Sequence, residues 1–239
     1  MKYSIKTDLH THTIASDHAF STVEENVRFA REIGMEAIAI TDHATAMDDS
    51  PMNWHFCAMD IIPPYVDGVR VLRGSEANIL DLSGAIDLSD AELEKLEIVI
   101  ASIHECCYRD CGKEDHTSAY LGALENPAVD ILGHSGNPRC RYDIEKVVKK
   151  AKEMHKLIEI NAHSFDCRQD SIPICREIAL ACKKNGCGIC VDSDAHFSRH
   201  IGRFDNALLM LEEIDFPEEL IMNRSYKALK DYFSVRKEI

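Results

Sequence analysis

The sequence predicts an α/β fold in which short parallel strands alternate with helices along the whole chain. Seven short apolar segments alternate with stretches whose apolar residues recur at helical spacing. Polar residues that could do chemistry follow the end of every such segment, as at the active rim of a parallel barrel. The length of 239 residues suits one large core, and no repeat or linker interrupts it. We therefore expect a single domain over residues 1–239.

The seven predicted strands and the segments between them follow from local patterns. The first strand is expected around Tyr3 and Ile5, and the others over 35–40, 69–72, 98–103, 129–132, 157–160 and 188–191. Thr22 and Glu25 form a capping box that starts the first helix, which Gly34 ends. Further helices are expected over 118–124, 144–155 and 174–184, with two more after residue 207, separated near Phe216-Pro217. Residues 51–64 are irregular, and 78–90 suggest a small hairpin.

A His-x-His motif follows the first predicted strand. His10 and His12 project from the same face because strand side chains alternate, so two imidazoles could bind one metal ion. The motif alone fits a pair of structural histidines equally well. The recurrence of metal-ligand residues after later strands is what favours the metal site.

Collected together, the strand-end residues form a candidate metal cluster. Randomly placed histidines would not favour the ends of successive strands. One ion typically takes about four to six ligands, so nine candidates are too many for a single ion. We therefore expect two or three ions, with Glu76 bridging two of them. Mixed imidazole and carboxylate ligands suit Zn, Mn or Fe. The candidates are His10, His12, His18, His43, Glu76, His104, His134, Asp194 and His196.

Composition narrows the function classes. Forty-one acidic residues against 27 basic ones give a net charge of −14, which makes long nucleic acid a poor default partner. The Met1 end carries no signal-like segment and no run of 18 apolar residues occurs, so we expect a soluble cytoplasmic protein without membrane association. Reduced thiols are then expected for the ten cysteines. We interpret Cys187 and Cys190 as core residues and assign no role to Cys106, Cys107 or Cys111.

The ordered motifs resemble those of the PHP family (polymerase and histidinol phosphatase). Shorter matches such as Asn53-Trp-His-Phe56 and Gly136-Asn-Pro138 resemble the YcdX-type phosphatases of that family. The resemblance spans nearly the whole chain, although Ser135 replaces the usual Pro after the fifth-strand histidine. The main motifs are Asp8-Leu-His-Thr-His12, Ile40-Thr-Asp-His43, Gly74-Ser-Glu76, Ser102-Ile-His104, Gly133-His134 and Ser193-Asp-Ala-His196.

The resemblance implies a distorted seven-stranded (β/α)7 barrel, helices outside, with three divalent metal ions. His10, His12, Glu76 and Asp194 would hold the first ion. Glu76, His104 and His134 would hold the second, and His18, His43 and His196 the third. Among these ligands, Glu76, Asp194 and His196 are our catalytic candidates.

The implied activity is metal-dependent hydrolysis of small phosphate monoesters by a metal-bound hydroxide. Arg139 and Arg199 are candidate phosphate or substrate contacts, and Asp42 and Asp192 are candidates for orienting ligand histidines. Other functions stay open: a nucleotide or nucleic-acid phosphodiesterase, a histidinol phosphatase, or a non-catalytic metal store or sensor. The sequence also leaves a homo-oligomer open.

Overall fold

The structure is a computed structural model that describes residues 2–108 and 112–239. The strands are β1 Thr7–Asp8, β2 Ala37–Ile40, β3 Tyr65–Val66, β4 Val69–Asn78, β5 Ile98–Ser102, β6 Ile131–Leu132, β7 Leu157–Asn161 and β8 Ile189–Asp192. The helices are α1 Val23–Glu32, α2 Asn53–Cys57, α3 Asp90–Leu93, α4 Lys113–Glu125, α5 Ile144–Glu153, α6 His163–Cys167, α7 Ser171–Asn185, α8 Asp205–Glu213 and α9 Tyr226–Phe233.

Seven parallel strands form a nearly closed barrel. Their order is β1-β2-β4-β5-β6-β7-β8, and each neighbouring pair is parallel. The two-residue strand β3 is an antiparallel addition to β4, outside this order. The barrel confirms the predicted fold class, and the parallel strands bring their carboxyl ends to one rim.

The seam between the first and last strands is closed by few backbone contacts. Thr11 forms an isolated parallel bridge with Ala195, and the His12 N–H donates to Ala195 O over 2.9 Å. Farther down, the buried Asn223 side chain donates to Thr7 O at 2.9 Å and Val191 O at 2.7 Å. Its Oδ1 accepts the Val191 N–H at 3.0 Å, so this amide joins the two strands.

Two hydrophobic cores flank the barrel wall. The smaller core fills the barrel interior below the rim and includes Leu72, Ile100 and Ile131, closed from below by Leu229 and Phe233 of α9. The larger core lies between the strands and the outer helices, with residues such as Val27, Val147 and Ile178. The alternating strand pattern therefore sends apolar side chains to both faces of the sheet.

The strand bounds differ most from the prediction at two places, and by one or two residues elsewhere. Tyr3 and Ile5 are buried, but the first strand begins only at Thr7. Strand β4 continues beyond the predicted 69–72, because its first half pairs with β2 and its second half with β5. Gly74 lies where β4 changes from pairing with β2 to pairing with β5. A Cβ on Gly74 would lie 2.7 Å from Ile98 O, so a larger residue does not fit there. Glu76 consequently projects from within a strand.

The helices largely follow their sequence signals. Glu25 N–H donates to Thr22 Oγ1 and Thr22 N–H to Glu25 Oε2, which confirms the capping box of α1. The predicted hairpin is reduced to one bridge between Ile79 and Ile86, and the short helices α2, α3 and α6 were not predicted. Helices α8 and α9 confirm the two helices of the tail.

Two further expectations concern the chain as a whole. Within the described residues, no helix combines the length and apolar character needed to cross a lipid bilayer. Cys187 and Cys190 are buried free thiols, and Cys106 and Cys107 are free thiols as well, whereas Cys111 lies outside the described residues. A single domain over residues 1–239 stays a prediction.

Candidate metal centre

The nine predicted ligands meet at the carboxyl-terminal rim of the barrel. Seven of them line a cavity of about 940 Å³, and His10 and His12 lie completely buried beside Glu76. Residues that are up to 186 positions apart along the chain thus come together because parallel strands share one rim. The lining ligands are His18, His43, Glu76, His104, His134, Asp194 and His196.

Glu76 lies at the centre of the cluster, and its two carboxylate oxygens face different groups of histidines. Oε2 lies 3.3 Å from His10 Nε2, 3.7 Å from His12 Nε2 and 2.9 Å from His43 Nδ1. Oε1 lies 2.9 Å from His134 Nε2 and 3.4 Å from His104 Nε2. A carboxylate placed in this way can bridge two cations.

Asp194 completes the group around the first strand. Its Oδ1 lies 3.2 Å from His12 Nε2 and 3.6 Å from His10 Nε2. The same oxygen lies 3.5 Å from His196 Nδ1. The four residues predicted for the first ion, namely His10, His12, Glu76 and Asp194, are therefore in mutual proximity.

The remaining histidines form the outer part of the cluster. The ring of His18 lies 4.3 Å from the His196 ring and 5.2 Å from the His43 ring, measured between centroids. His18 Nδ1 also contacts the carboxylate of Asp49, and His18, His43 and Asp49 have ligand atoms within 4.8 Å of one another. Asp49 lies in a loop after β2 and was not predicted as a site residue.

Electrostatics favour bound cations at this cluster. Burial alone would raise the pKa of Glu76, but the charges of His10, His104 and His43 hold it well below its usual value. The pKa of Asp194 is likewise well below normal, because the charge of His10 outweighs its burial. Burial together with His43 lowers the pKa of His12 to about 3. The carboxylates are therefore ionised, and His12 is neutral with a free lone pair.

Unpartnered buried atoms give an independent test of whether the cluster fits metal ions. Buried polar atoms almost always have a hydrogen-bond partner, since leaving them without one is costly. Several ring nitrogens and one carboxylate oxygen in this cluster make no hydrogen bond of suitable geometry within the described chain, so the donor set fits cations. These atoms are His10 Nε2, both ring nitrogens of His12 and His43, His196 Nε2 and Asp194 Oδ1.

Two ligand histidines are held through their other ring nitrogen. His10 Nδ1 lies 2.7 Å from Glu159 Oε1, and His104 Nδ1 lies 2.6 Å from Asn78 Oδ1. Both oxygens are acceptors, so each Nδ1 donates its hydrogen and each Nε2 points into the cluster. Glu159 was not predicted, although a lone charged residue inside the apolar strand β7 could have indicated it.

Asp42 and Asp192, predicted to orient histidine ligands, make other contacts. Asp42 accepts hydrogen bonds from Thr13 N–H at 2.7 Å and Ser16 Oγ at 2.8 Å. Asp192 accepts the Leu9 N–H at 2.7 Å. Both carboxylates therefore hold the backbone beside His10 and His12, while Glu159 and Asn78 contact the rings directly.

The two candidate substrate arginines have different positions. Arg139 lines the cavity and pairs with Glu105 at 2.6 Å. Arg199 lies against α1 instead, 4.0 Å from Glu32 and over the Phe29 ring. Arg168, at the end of α6, lines the cavity and was not predicted. Arg139 and Arg168 are thus the two arginines that line the cavity.

The chain is a parallel α/β barrel whose rim collects histidines and carboxylates that could bind metal ions. A family model described as PHP domain matches residues 8–167. The chain belongs to the PHP family.

Two curated relatives match the chain over its whole length. A protein of Acetivibrio thermocellus named "Probable phosphatase" is 47% identical, and the match covers 100% of this chain and 98% of the relative. A "Probable phosphatase" of Caldanaerobacter subterraneus subsp. tengcongensis is 46% identical over 100% of this chain and 94% of its own length. These relatives confirm the prediction of a PHP-family phosphatase at the level of family and enzyme class.

A solved structure has the same fold at low sequence identity. The histidinol phosphate phosphatase of Lactococcus lactis subsp. lactis, in complex with zinc, L-histidinol and phosphate, superposes with a TM-score of 0.64. It is 16% identical, and the match covers 89% of this chain and 94% of that chain. This likeness supports the barrel architecture.

Proposed function

We propose that the chain hydrolyses small phosphate monoesters at a centre of three divalent metal ions, with Zn, Mn and Fe as candidates. The observation that carries the proposal is the position of Glu76, whose two oxygens face His10, His12 and His43 on one side and His104 and His134 on the other. The relatives named probable phosphatase and the zinc and phosphate bound by the L. lactis enzyme support it.

The ligands divide among three positions. His10, His12, Glu76 and Asp194 would hold the first ion, and the distances between their facing atoms, 3.2–3.7 Å, support this assignment. Glu76, His104 and His134 would hold the second ion, since His104 Nε2 and His134 Nε2 lie 3.1 Å apart. His18, His43 and His196 would hold the third, with Asp49 as an additional ligand candidate.

Phosphate-ester hydrolysis needs a nucleophile and neutralisation of charge. Divalent ions held by these residues would lower the pKa of bound water and offset the negative charge of the phosphoryl oxygens. The protein contributes the ionised carboxylates Glu76 and Asp194, which fix where the positive charge lies. Arg139 and Arg168 would contact the anionic parts of the substrate from the cavity wall.

The size and charge of the cavity favour a small substrate. A volume of about 940 Å³ accommodates a phosphorylated metabolite with the ester group at the cluster. A long nucleic acid is a polyanion, and the net charge of −14 on this chain would repel it. We therefore place monoesters of small metabolites before polymeric diesters.

The test is hydrolysis of p-nitrophenyl phosphate by the purified chain, before and after removal of metal by a chelator. We expect turnover that is lost on chelation and restored by Mn²⁺ or Zn²⁺. Bis(p-nitrophenyl) phosphate and L-histidinol phosphate, assayed in parallel, distinguish the diesterase and histidinol phosphatase alternatives. Metal binding without turnover of any phosphate ester would instead favour a store or sensor. Full activity after chelation would contradict the proposal.

A further inference from the structure

We propose that Glu159 is a positioning residue that sets the geometry of two metal-ion sites at once, and this proposal rests on the function proposed above. Glu159 projects from β7 and is 1% exposed. Its Oε1 accepts a hydrogen bond from His10 Nδ1 over 2.7 Å. Its Oε2 accepts one from the backbone N–H of His134 and one from Asn161 Nδ2 at 3.3 Å. One carboxylate thus contacts a ligand of the first ion and a ligand of the second.

At His10, the contact selects the ring tautomer. Glu159 Oε1 is an acceptor, so Nδ1 carries a hydrogen and Nε2 is the nitrogen left to bind a cation. Nε2 then lies 3.3 Å from Glu76 Oε2 and 3.6 Å from Asp194 Oδ1, the oxygens with which it would share the first ion. Loss of the Glu159 oxygen would leave both the tautomer and the ring angle of His10 unspecified.

At His134, the contact holds an unfavourable backbone. The φ angle of His134 is +23°, a region that residues other than glycine rarely adopt. The hydrogen bond from its N–H to Glu159 stabilises this conformation. The conformation places His134 Nε2 2.9 Å from Glu76 Oε1 and 3.1 Å from His104 Nε2, as the second ion requires.

Asn161, two residues farther along β7, extends the same network. Its Nδ2 donates to Asp194 Oδ2 at 3.1 Å as well as to Glu159, which leaves Asp194 Oδ1 directed at His12. Its Oδ1 accepts hydrogen bonds from the N–H and Oγ of Ser164. Ser164 lies in α6, whose residue His163 lines the cavity. Glu159 and Asn161 therefore connect both ion sites to the cavity wall.

Other partners of the ligands act on one histidine each. Asn78 contacts His104, and Asp49 contacts His18. If Glu159 positions two sites, its loss must weaken two ions together, whereas loss of Asp49 must affect one ion at most. This difference separates a shared positioning role from a general effect of removing a carboxylate.

Glu159→Gln is the informative variant because the amide has nearly the shape of the carboxylate but only one acceptor oxygen. An oxygen directed at the N–H groups of His134 and Asn161 places the amide NH₂ against His10 Nδ1. The opposite orientation directs NH₂ at two other donors. Either orientation of the amide breaks one of the two ligand contacts. The side chain at position 159 then reorients, and this movement disturbs the other contact. Asp49→Asn makes the same chemical change at a site that contacts one histidine.

The experiment measures metal rather than turnover. Each protein is loaded with Zn²⁺, dialysed, analysed for zinc per chain and titrated with a competing chelator. We expect Glu159→Gln to bind two of its ions roughly 10–100-fold more weakly than the unmodified chain. Asp49→Asn should weaken one ion at most. Visible absorption of the Co²⁺-loaded proteins reports the ligand geometry, and its bands should shift for Glu159→Gln. Circular dichroism confirms that each variant is folded.

A second variant covers the case in which Glu159→Gln does not fold. Asn161→Ala removes the donors to Glu159 and Asp194 while leaving both carboxylates in place, and it should weaken the first ion by several-fold. Folded variants whose zinc content, affinities and Co²⁺ spectra match the unmodified chain would overturn the positioning role. If the unmodified chain bound metal and hydrolysed phosphate esters, the proposed function would survive that result. An unmodified chain that binds none of Zn²⁺, Mn²⁺ and Fe²⁺ would overturn both.

Discussion

His43 Nδ1 lies 2.9 Å from Glu76 Oε2, so the histidine predicted for the third ion contacts the carboxylate predicted to bridge the first two. Glu76 is thus adjacent to all three groups of ligands. We expect Glu76→Gln to lose at least two ions per chain, because its amide group would present hydrogen atoms to the cations. Hydrolysis of p-nitrophenyl phosphate should fall by roughly a hundredfold or more. Elemental analysis and steady-state kinetics measure the two effects.

The control for this variant is Glu145→Gln, which makes the same chemical change on the outer surface of α5, beside Lys149 and Lys184. It should retain the full metal content and activity. A Glu76→Gln protein with unchanged metal content would show that Glu76 does not bridge ions.

Removal of the metal ions should lower the thermal stability of the chain. The cluster keeps several buried nitrogens without partners, and cations that bind only the folded state stabilise it by mass action. One site at 1,000 times its dissociation constant contributes about 4 kcal/mol, which corresponds to a melting temperature higher by roughly 10 °C. Differential scanning fluorimetry with and without chelator tests this. A chelator already saturated with zinc is the control, and an unchanged melting temperature would argue against structural metal binding.

Arg168 is expected to affect substrate binding more than turnover. Its guanidinium lines the cavity at the end of α6, and a charged hydrogen bond to a substrate anion contributes about 1.5–3 kcal/mol. Arg168→Gln should therefore raise KM by roughly tenfold or more while kcat changes little. Arg176→Gln, on the exposed face of α7 where Arg176 pairs with Glu213, is the matched control. Equal kinetics for the two variants would remove Arg168 from the substrate site.

Lys156 should make stability depend on pH. Burial, and then the charge of Arg236, lower the pKa of Lys156 to about 7, whereas in the unfolded chain it is about 10.4. Between these values the unfolded chain binds more protons, so the Lys156 contribution to stability rises with pH and is lost as pH falls through about 7. The advantage in melting temperature of Lys156→Met over the unmodified chain should shrink from pH 7 to pH 9.5. An advantage that is independent of pH would contradict the lowered pKa.

Gly122 in α4 should resist substitution by alanine. Helix propensity alone would make Gly122→Ala more stable by about 1 kcal/mol. A Cβ at this position would lie 1.9 Å from Ser83 O, so the packed loop must move, and we expect a net loss of about 1–3 kcal/mol. Urea denaturation measures the change. Ser118→Ala, on the exposed side of the same helix, should change stability by about 0.5 kcal/mol or less. A stabilised Gly122→Ala would refute the close contact.

The sequence predicts the candidate site well where residues follow a strand directly. His104, His134 and His196 could be placed at the rim because each comes just after an apolar segment, and parallel strands end on the same side. The approach of Glu76 to these histidines was predicted, but its place inside β4 was not. Strand length there depends on a change of partner strand, which local sequence does not encode.

Residues that support the ligands were harder to predict. Asp49 lies in a loop whose path is fixed by tertiary contacts, such as the hydrogen bond from Asp17 N–H to Asp49 O. Glu159 lies in the middle of β7, a position that the alternation of strand residues assigns to the core. Asp42 and Asp192, the candidates for orienting histidines, instead accept hydrogen bonds from backbone N–H groups.

The amide of Asn223 links the C-terminal segment of the chain to the geometry of the candidate metal centre. It supplies hydrogen bonds that β1 and β8 do not make to each other, and it sits in the segment that leads into α9. His10 lies just beyond one of these strands and Asp194 just beyond the other. Deleting residues 223–239 would therefore let the barrel open between β1 and β8 and draw His10 away from Asp194. The deleted residues lie at the opposite end of the barrel from the candidate metal centre.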